Sequence, residues 1–125
     1  MNYNDVNKIL IYKRNTIEMN LIEKYTISIN NNNIEVKTFN GIKKIEKNKV
    51  NTILSNLYEY IKDMEKTRYQ VQLFEYEINN PAIKFFVCFQ FKNNTYIAIK
   101  GIEPLTQIHY KDILNEIDNF LKLLD

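Results

Sequence analysis

The sequence predicts an α+β protein: a two-layer fold with a mostly antiparallel sheet of about six to seven strands packed against two long amphipathic helices. Two patterns support this class. Several short segments alternate apolar and polar residues, which is typical of half-buried strands, and two longer segments repeat apolar residues every three or four positions, as amphipathic helices do. A length of 125 residues, 45% of them hydrophobic, indicates a single domain over residues 1–125.

Residues 4–14 fit two kinds of structure. Asn4 and Asp5 are good caps for a short helix with apolar residues on one face. The apolar run 9–12 is equally compatible with a fully buried strand. Our prediction here is a short N-terminal helix, with the strand as the alternative.

Alternating segments then predict the first strands of the sheet. Apolar residues alternate with polar ones over 17–21 and again over 25–29, so each segment should form a half-buried strand. Glu23 and Lys24, which lie between the two segments, are predicted to form the turn.

A hairpin is predicted around the first glycine. The strand that carries Ile34 and Val36 runs into Asn40-Gly41, a pair typical of a type I′ turn because Asn tolerates positive φ and Gly adopts it freely. Residues 42–45 should therefore return antiparallel to that strand.

Two helices follow from apolar residues at helical spacing. The first should begin near Asn48, a suitable N-cap, and the second should follow Pro104, with Thr106 as a candidate cap. The apolar positions of the first helix are Val50, Ile53, Leu54, Leu57, Ile61 and Met64. Those of the second are Tyr110, Ile113, Leu114, Ile117, Leu121 and Leu124. Both helices should pack on the same face of the sheet.

Residues 69–102, between the helices, are predicted to form a three-stranded meander. A loop at 79–82 and a two-residue turn at 93–94 would connect its strands, and the second turn would pair Phe89 with Ala98. One face would then be a continuous apolar wall that forms the core. Its members are Phe74, Tyr76, Ile78, Ile83, Phe85, Val87, Phe89, Phe91, Tyr96 and Ala98.

The opposite face of the meander mixes apolar and polar residues, so we expect it to be covered by the N-terminal segment, by a second copy of the chain, or by a partner. Its apolar residues are Leu73, Phe86, Cys88, Ile97 and Ile99. We predict a small non-enzymatic binding protein, of the inhibitor, immunity or sequestering type, that recognises a protein or a small ligand. The predicted contact residues on this face are Phe86, Ile97, Ile99, Glu75, Glu77, Lys84 and Gln90.

The alternative function is nucleic-acid binding by a local group of lysines. A phosphate backbone could lie on lysines near the predicted hairpin, although Glu35 and Glu46 interrupt the group and the net charge is only +2. The residues of this predicted patch are Lys37, Lys43, Lys44, Lys47 and Lys49.

The inventory of chemically active residues argues against common catalytic sites. With only two glycines the chain has neither a Walker-type nor a dinucleotide-binding loop, and one His and one Cys do not make a zinc site. We interpret Cys88 as a buried apolar residue and His109 as part of a helix start. We expect no cofactor and no metal. An enzyme whose carboxylates and tyrosines come from different strands is the third alternative, since such a site leaves no linear motif.

Composition also predicts where the protein works. A single cysteine and an N-terminus without a basic and then apolar layout lead us to expect a reducing cytoplasm. No apolar run reaches the roughly 18 residues that a membrane span requires, so we expect no membrane association.

Overall fold

The computed structural model of the protein describes residues 2–18, 20–31, 33–63, 75–102 and 109–125. Within them the chain forms the strands β1 (Val6–Arg14), β2 (Ile22–Ile29), β3 (Asn33–Thr38), β4 (Gly41–Glu46), β5 (Ile83–Phe91) and β6 (Tyr96–Ile102). These strands make one six-stranded sheet in the order β4-β3-β2-β1-β5-β6, and every neighbouring pair is antiparallel. The predicted α+β class and antiparallel sheet are confirmed.

Two α-helices lie on one face of the sheet, which we call the helix face. They are α1 (Lys47–Ile61) and α2 (Tyr110–Leu123), of 15 and 14 residues. Tyr58 of α1 meets the ring of Phe89 edge-on at 5.6 Å between centroids, and Phe120 of α2 does the same to Tyr25 at 6.5 Å. The main core therefore lies between the helices and the sheet. Within the described residues, neither helix is long and apolar enough to cross a membrane.

The ends of the helices differ slightly from the sequence-based expectation. The N-cap of α1 is Glu46 and makes no capping side-chain hydrogen bond, so Asn48 lies inside the helix and does not cap it. His109 is the N-cap of α2 and has a left-handed backbone, with φ of 63°. The expected apolar residue Met64 and the candidate cap Thr106 lie outside the described residues.

The N-terminal segment is a strand, so the preferred helix prediction was wrong there. Only one 3-10 turn (Tyr3–Asp5) precedes β1, which is the central strand and pairs with both β2 and β5. Ile9 and Ile11 belong to the helix-face core, whereas Tyr12 is buried on the opposite side. A strand covered on both faces carries apolar residues at successive positions, and the run 9–12 shows that pattern.

The predicted strand over 17–21 is also wrong. The Oδ1 atom of Asn15 accepts hydrogen bonds from the backbone N–H groups of Ile17 and Glu18, both at 2.8 Å, and this local turn competes with strand pairing. Ile17 is 89% exposed. Glu23 and Lys24, predicted as a turn, are residues of β2 and pair with β1.

The hairpin of β3 and β4 is present, but its turn differs from the predicted one. Thr38 pairs with Gly41, so the two turn residues are Phe39 and Asn40. Neither has positive φ, and Gly41 instead takes a φ of 124°. The glycine is still needed, because a side chain at that φ would be strained.

The first strand of the predicted meander is not formed in the described residues. Residues 75–77 are helical, and a turn over 78–82 leads into β5. The predicted meander residues Leu73 and Phe74 lie outside the described residues.

The predicted register between β5 and β6 is wrong by one residue. Phe89 pairs with Ile97 and not with Ala98, because the connection is the longer loop 92–95. In this loop Asn94 has a φ of 66°, and the N–H of Phe91 donates to the carbonyl of Thr95 at 2.9 Å. A slip of one residue turns every side chain of β6 to the other face. Tyr96 and Ala98 therefore lie opposite the predicted core side, as partly buried neighbours of the second cluster described below.

The face opposite the helices, which we call the outer face, is covered over β1, β5 and β6 by residues 75–82. A second apolar cluster forms beneath this cover segment from Tyr12, Ile78, Ile83, Phe86 and Cys88. The chain itself thus supplies a cover for the mixed face, which was one of the three predicted alternatives. The cover comes from residues 75–82 and not from the N-terminal segment.

Hydrogen bonds from the sheet hold the cover segment in place. The buried guanidinium of Arg14 donates to the carbonyl oxygens of Ile83 at 2.9 Å, Ile78 at 2.5 Å and Asn80 at 3.1 Å. Two of these carbonyls, those of Ile78 and Asn80, lie in the turn that follows the helical residues 75–77, and the third belongs to the first residue of β5. Arg14 therefore joins the central strand to the cover.

Candidate functional site

The structure separates the apolar residues of the predicted binding face. Phe86 lies on the outer face, 1% exposed, in contact with the ring of Tyr12. Ile97 and Ile99 lie on the helix face and are 0% and 8% exposed. The shifted register of β6 is the cause, and it corrects the prediction that these three side chains form one exposed surface.

The polar residues predicted for that face are engaged within the chain. Glu75 accepts a hydrogen bond from the Tyr12 hydroxyl at 2.8 Å, and Glu77 pairs with Lys100 at 2.5 Å. Gln90 is half-buried, with its Nε2 3.5 Å from Oδ1 of Asn94, and Lys84 is also half-buried. The first two carboxylates stabilise the cover segment, and a role of these residues in partner recognition stays a prediction.

The lysines of the predicted nucleic-acid patch do not share one surface. Lys43 points to the helix face, where its Nζ donates to the carbonyl of Leu124. Lys37 and Lys44 lie on the outer face, because they alternate with residues of the helix face along β3 and β4. Lys47 and Lys49 belong to the start of α1. Binding of nucleic acid by this set stays a prediction.

The only cysteine and the only histidine lie on different sides of the sheet. Cys88 is 1% exposed in the outer-face cluster, and burial raises the pKa of its thiol to about 12, which keeps it protonated at neutral pH. His109 begins α2, with its Nδ1 3.2 Å from a carboxylate oxygen of Asp112. In the described parts of the chain, no group of three or more His, Cys, Asp and Glu residues is placed to hold a metal ion.

A cleft opens at the end of the sheet where β2 extends beyond β3. Residues 22–25 of β2 pair with β1, but pairing with β3 begins only at Thr26. The β3–β4 turn and the C-terminal half of α2 close the other sides of a space of about 1060 Å³, which we call the end cleft. Its apolar lining consists of Leu21, Ile22, Tyr25, Phe39, Leu121 and Leu124. Its charged lining consists of Lys13, Lys24, Lys37, Lys43, Lys122, Glu23, Asp118 and Asp125.

Internal hydrogen bonds order the floor of the end cleft. The Tyr25 hydroxyl donates to Oε2 of Glu23 at 2.6 Å, while Oε1 of Glu23 accepts from the Asn15 amide at 2.9 Å. Burial, reinforced by the Glu23 hydrogen bond, raises the pKa of Tyr25 well above its usual range. Lys13 of β1 bridges to Asp118 of α2 at 2.6 Å. These contacts position the walls before any ligand enters.

Two lysines of the end cleft are free of such contacts. Within the described residues, Lys37 and Lys122 make no ion pair or side-chain hydrogen bond, and both are exposed. The lining as a whole has five lysines against three carboxylates. The cleft is therefore suited to a ligand that carries negative charge.

An exposed aromatic side chain stands at the rim. Phe39, at the tip of the β3–β4 turn, is 99% exposed, and Leu21 on the other side is 46% exposed. Exposed aromatic residues beside a cavity are typical of contact sites. Neither residue is among the contact residues that the sequence predicts. The available signal was a phenylalanine directly before Asn40-Gly41, where turns normally carry polar residues.

Comparison of the chain with protein-family models, with curated proteins and with solved structures finds no match in any of the three. The function must therefore be inferred from the geometry and chemistry of the end cleft.

Proposed function

We propose that the protein is a non-enzymatic binding protein, of the inhibitor, immunity or sequestering kind, that holds a protein segment or a small ligand in the end cleft. The observation that carries this proposal is the combination of an apolar floor, unpaired lysines and the exposed ring of Phe39 around one space of about 1060 Å³. Ligand sites in proteins are concave, largely apolar and marked by a few convergent polar groups.

The charges of the cleft support an acidic or anionic ligand. Lys37 and Lys122 have no ion-pair partner among the described residues, so a ligand anion would not have to break an existing pair. Charge complementarity of this kind accelerates association and selects among partners more than it adds to affinity.

The chemistry of the floor supports binding more than catalysis. Burial moves the pKa of Tyr25 further above neutral pH, so its hydroxyl is poorly suited to act as a general base, which must accept a proton. Glu23 is already engaged by Tyr25 and Asn15. The absence of enzymatic activity stays a prediction, which a screen for turnover of a captured ligand can test.

The proposal can be tested with a matched pair of exposed aromatic residues. The partner would be identified by co-purification from the native host and its affinity measured by calorimetry. Phe39→Ser should weaken binding about tenfold, or about 1.4 kcal/mol. Tyr76→Ser is the control, because Tyr76 is 78% exposed but belongs to the cover segment. Equal affinities of both variants and the parent protein would contradict the proposal.

The same experiment separates the alternative partners. A nucleic acid bound by the lysines would lose affinity steeply as salt is raised, and Lys44→Glu would weaken its binding. A homodimer would appear as a doubled solution mass without a companion protein. Capture of a protein or small ligand whose affinity falls with Phe39→Ser and is unchanged by Lys44→Glu supports the end cleft as the binding site.

A further inference from the structure

The backbone of β2 directs into the end cleft hydrogen-bonding groups that have no partner among the described residues. The N–H of Asn30 donates to the carbonyl of Asn33, across the turn that leads into β3, and the carbonyl of Leu21 accepts from the N–H of Asn15 on the β1 side. Alternate residues of a strand direct their N–H and C=O groups to the same neighbour. Even-numbered residues of β2 therefore face β3, and odd-numbered residues face β1.

Ile22 and Lys24 are the residues whose backbone groups point into the cleft. β3 satisfies Thr26 and Ser28, which pair with Lys37 and Glu35. Continuing this register would place Phe39 opposite Lys24, but the chain has turned by then. Within the described residues, no hydrogen bond reaches the cleft-facing groups of Ile22 and Lys24.

We propose that the ligand of the end cleft is an extended, acidic segment of a partner protein that adds to β2 as a short strand beyond the end of β3. This inference rests on the proposed function and specifies its ligand. Two N–H and two C=O groups alternate along residues 22–25, a length of about 13 Å, and an extended chain is the ligand that presents matching groups at that spacing.

Side chains of the cleft select the acidic character of the added segment. Residues of the segment on the helix face would meet Tyr25, Leu121 and Lys43, and residues on the other face would lie near Lys24 and Lys37. Acidic side chains would therefore meet lysines on either face of the added strand. Opposite charges across neighbouring strands stabilise pairing, and like charges oppose it.

The same charges argue against a second copy of this chain as the occupant. Two-fold pairing of this edge with the same edge of a second copy would bring the lysines around Lys24 of the two copies close together. A partner segment rich in Asp or Glu avoids this repulsion.

The test uses capped hexapeptides and amide hydrogen exchange read by NMR on the full chain. A peptide of alternating glutamate and valine should slow exchange of the Ile22 and Lys24 amides about tenfold. The Glu23 and Tyr25 amides, already bonded to β1, should not change. A peptide of alternating lysine and valine is the control and should leave all four amides unaffected.

A pair of substitutions checks that the backbone carries the interaction. Lys24→Pro removes the cleft-facing N–H without disturbing a bond to β1, whereas Lys24→Thr removes the same charge and keeps the N–H. The first variant should lose about tenfold more peptide affinity than the second. If Lys24→Pro does not fold, two N-methylated peptides replace it, with methyl groups on the valine or on the glutamate amides. At least one of them should bind through its free edge, whereas a third peptide methylated on every amide should not bind, because pairing with β2 needs free N–H groups on the peptide.

The outcomes distinguish this inference from the proposed function. NMR chemical-shift changes at Tyr25 and Leu121, without slower amide exchange at Ile22 and Lys24, would overturn strand addition. They would still support binding of a ligand in the cleft. No shift anywhere in the cleft, with any peptide at millimolar concentration, would overturn strand addition. If the native partner also produced no shift there, the proposed function would fail with it. A doubled solution mass without peptide, with protection of the same amides, would assign the edge to a second copy and overturn the acidic segment.

Discussion

The outer face of the sheet has two halves that differ in what lies above them. Over β1, β5 and β6 it carries Tyr12, Phe86 and Cys88, all at most 4% exposed beneath the cover segment 75–82. Over β2, β3 and β4 it carries residues such as Thr26 and Ser28, which are only half-buried. The chain covers the half with most of the large apolar side chains and leaves open the half whose outer-face residues are mostly polar, although Ile42 of β4 is 64% exposed there.

The mixed face of β5 is therefore a second core and not a surface. The cover segment is joined to the sheet by Arg14, Tyr12 and Lys100, each of which bonds to residues within 75–83. Among the described residues, the open half has two weak outer-face pairs, between Lys44 and Glu35 at 3.9 Å and between Lys24 and Glu75 of the cover segment at 3.8 Å. We therefore expect functional contacts at the free end of the open half, beside the end cleft.

The largest effect should come from the side chain at the centre of the covered half. Phe86→Ala leaves a cavity beside Tyr12 and should lower the free energy of unfolding by about 3–5 kcal/mol. Ser28→Ala, in the open half, should change it by no more than about 0.5 kcal/mol. Urea unfolding followed by circular dichroism measures both. Similar small losses for the two variants would mean that the halves do not differ in stability.

Removal of the buried Arg14 guanidinium should have the second-largest effect on stability. Arg14→Met removes the donor groups that bond to the carbonyls of Ile78, Asn80 and Ile83. It should lower the free energy of unfolding by about 2–3 kcal/mol. It should also loosen the cover, so that a thiol reagent labels Cys88 about tenfold faster under native conditions. Lys37→Met, in the open half, is the control and should not change the labelling rate. Unchanged labelling in both variants would show that Arg14 does not hold the cover closed.

The thiol of Cys88 should make stability depend on alkaline pH. Burial raises its pKa from 9.0 to about 12, so its contribution is complete below pH 9 and is lost as the pH rises toward 12. Between pH 8 and pH 10, the free energy of unfolding of the parent protein should fall by about 1.4 kcal/mol more than that of Cys88→Ala. Tyr3, Tyr12 and Tyr25, whose pKa values burial also raises, should add a further loss of stability above about pH 10 in both proteins. Parallel pH profiles would indicate that the thiol already reaches solvent.

The smallest difference should separate two surface ion pairs. Lys100 and Glu77 are 2.5 Å apart with side chains 34% and 29% exposed, whereas Lys44 and Glu35 are 3.9 Å apart and 70% and 38% exposed. Glu77→Gln should lower the free energy of unfolding by about 0.5–1 kcal/mol, because this pair also joins the cover segment to β6. Glu35→Gln should be neutral within error. A larger loss for Glu35→Gln would reverse the ranking of the two halves.

The contact surface was harder to predict than the class of fold. The sequence predicts Phe86 on the face away from the helices, where it lies, but its burial depends on residues 75–82, for which the sequence predicts the end of a strand followed by a loop at 79–82. Ile97 and Ile99 were placed on the wrong face because a two-residue turn was assumed where the loop spans 92–95. The sequence contains one local sign of the end cleft, which is the apolar Phe39 directly before Asn40-Gly41.

Local spacing of apolar residues is enough to predict the helices and the core-facing side of β5. Helical spacing specified α1 and α2, and the alternation of Phe85, Val87 and Phe89 specified a core-facing side of β5, because each element must bury its own apolar stripe. Three features depend on tertiary contacts: the central position of β1, the direction in which the side chains of β6 point, and the extension of β2 beyond β3 that forms the end cleft. Strand position and register depend on which segments meet across the sheet, and those contacts join residues far apart in the chain.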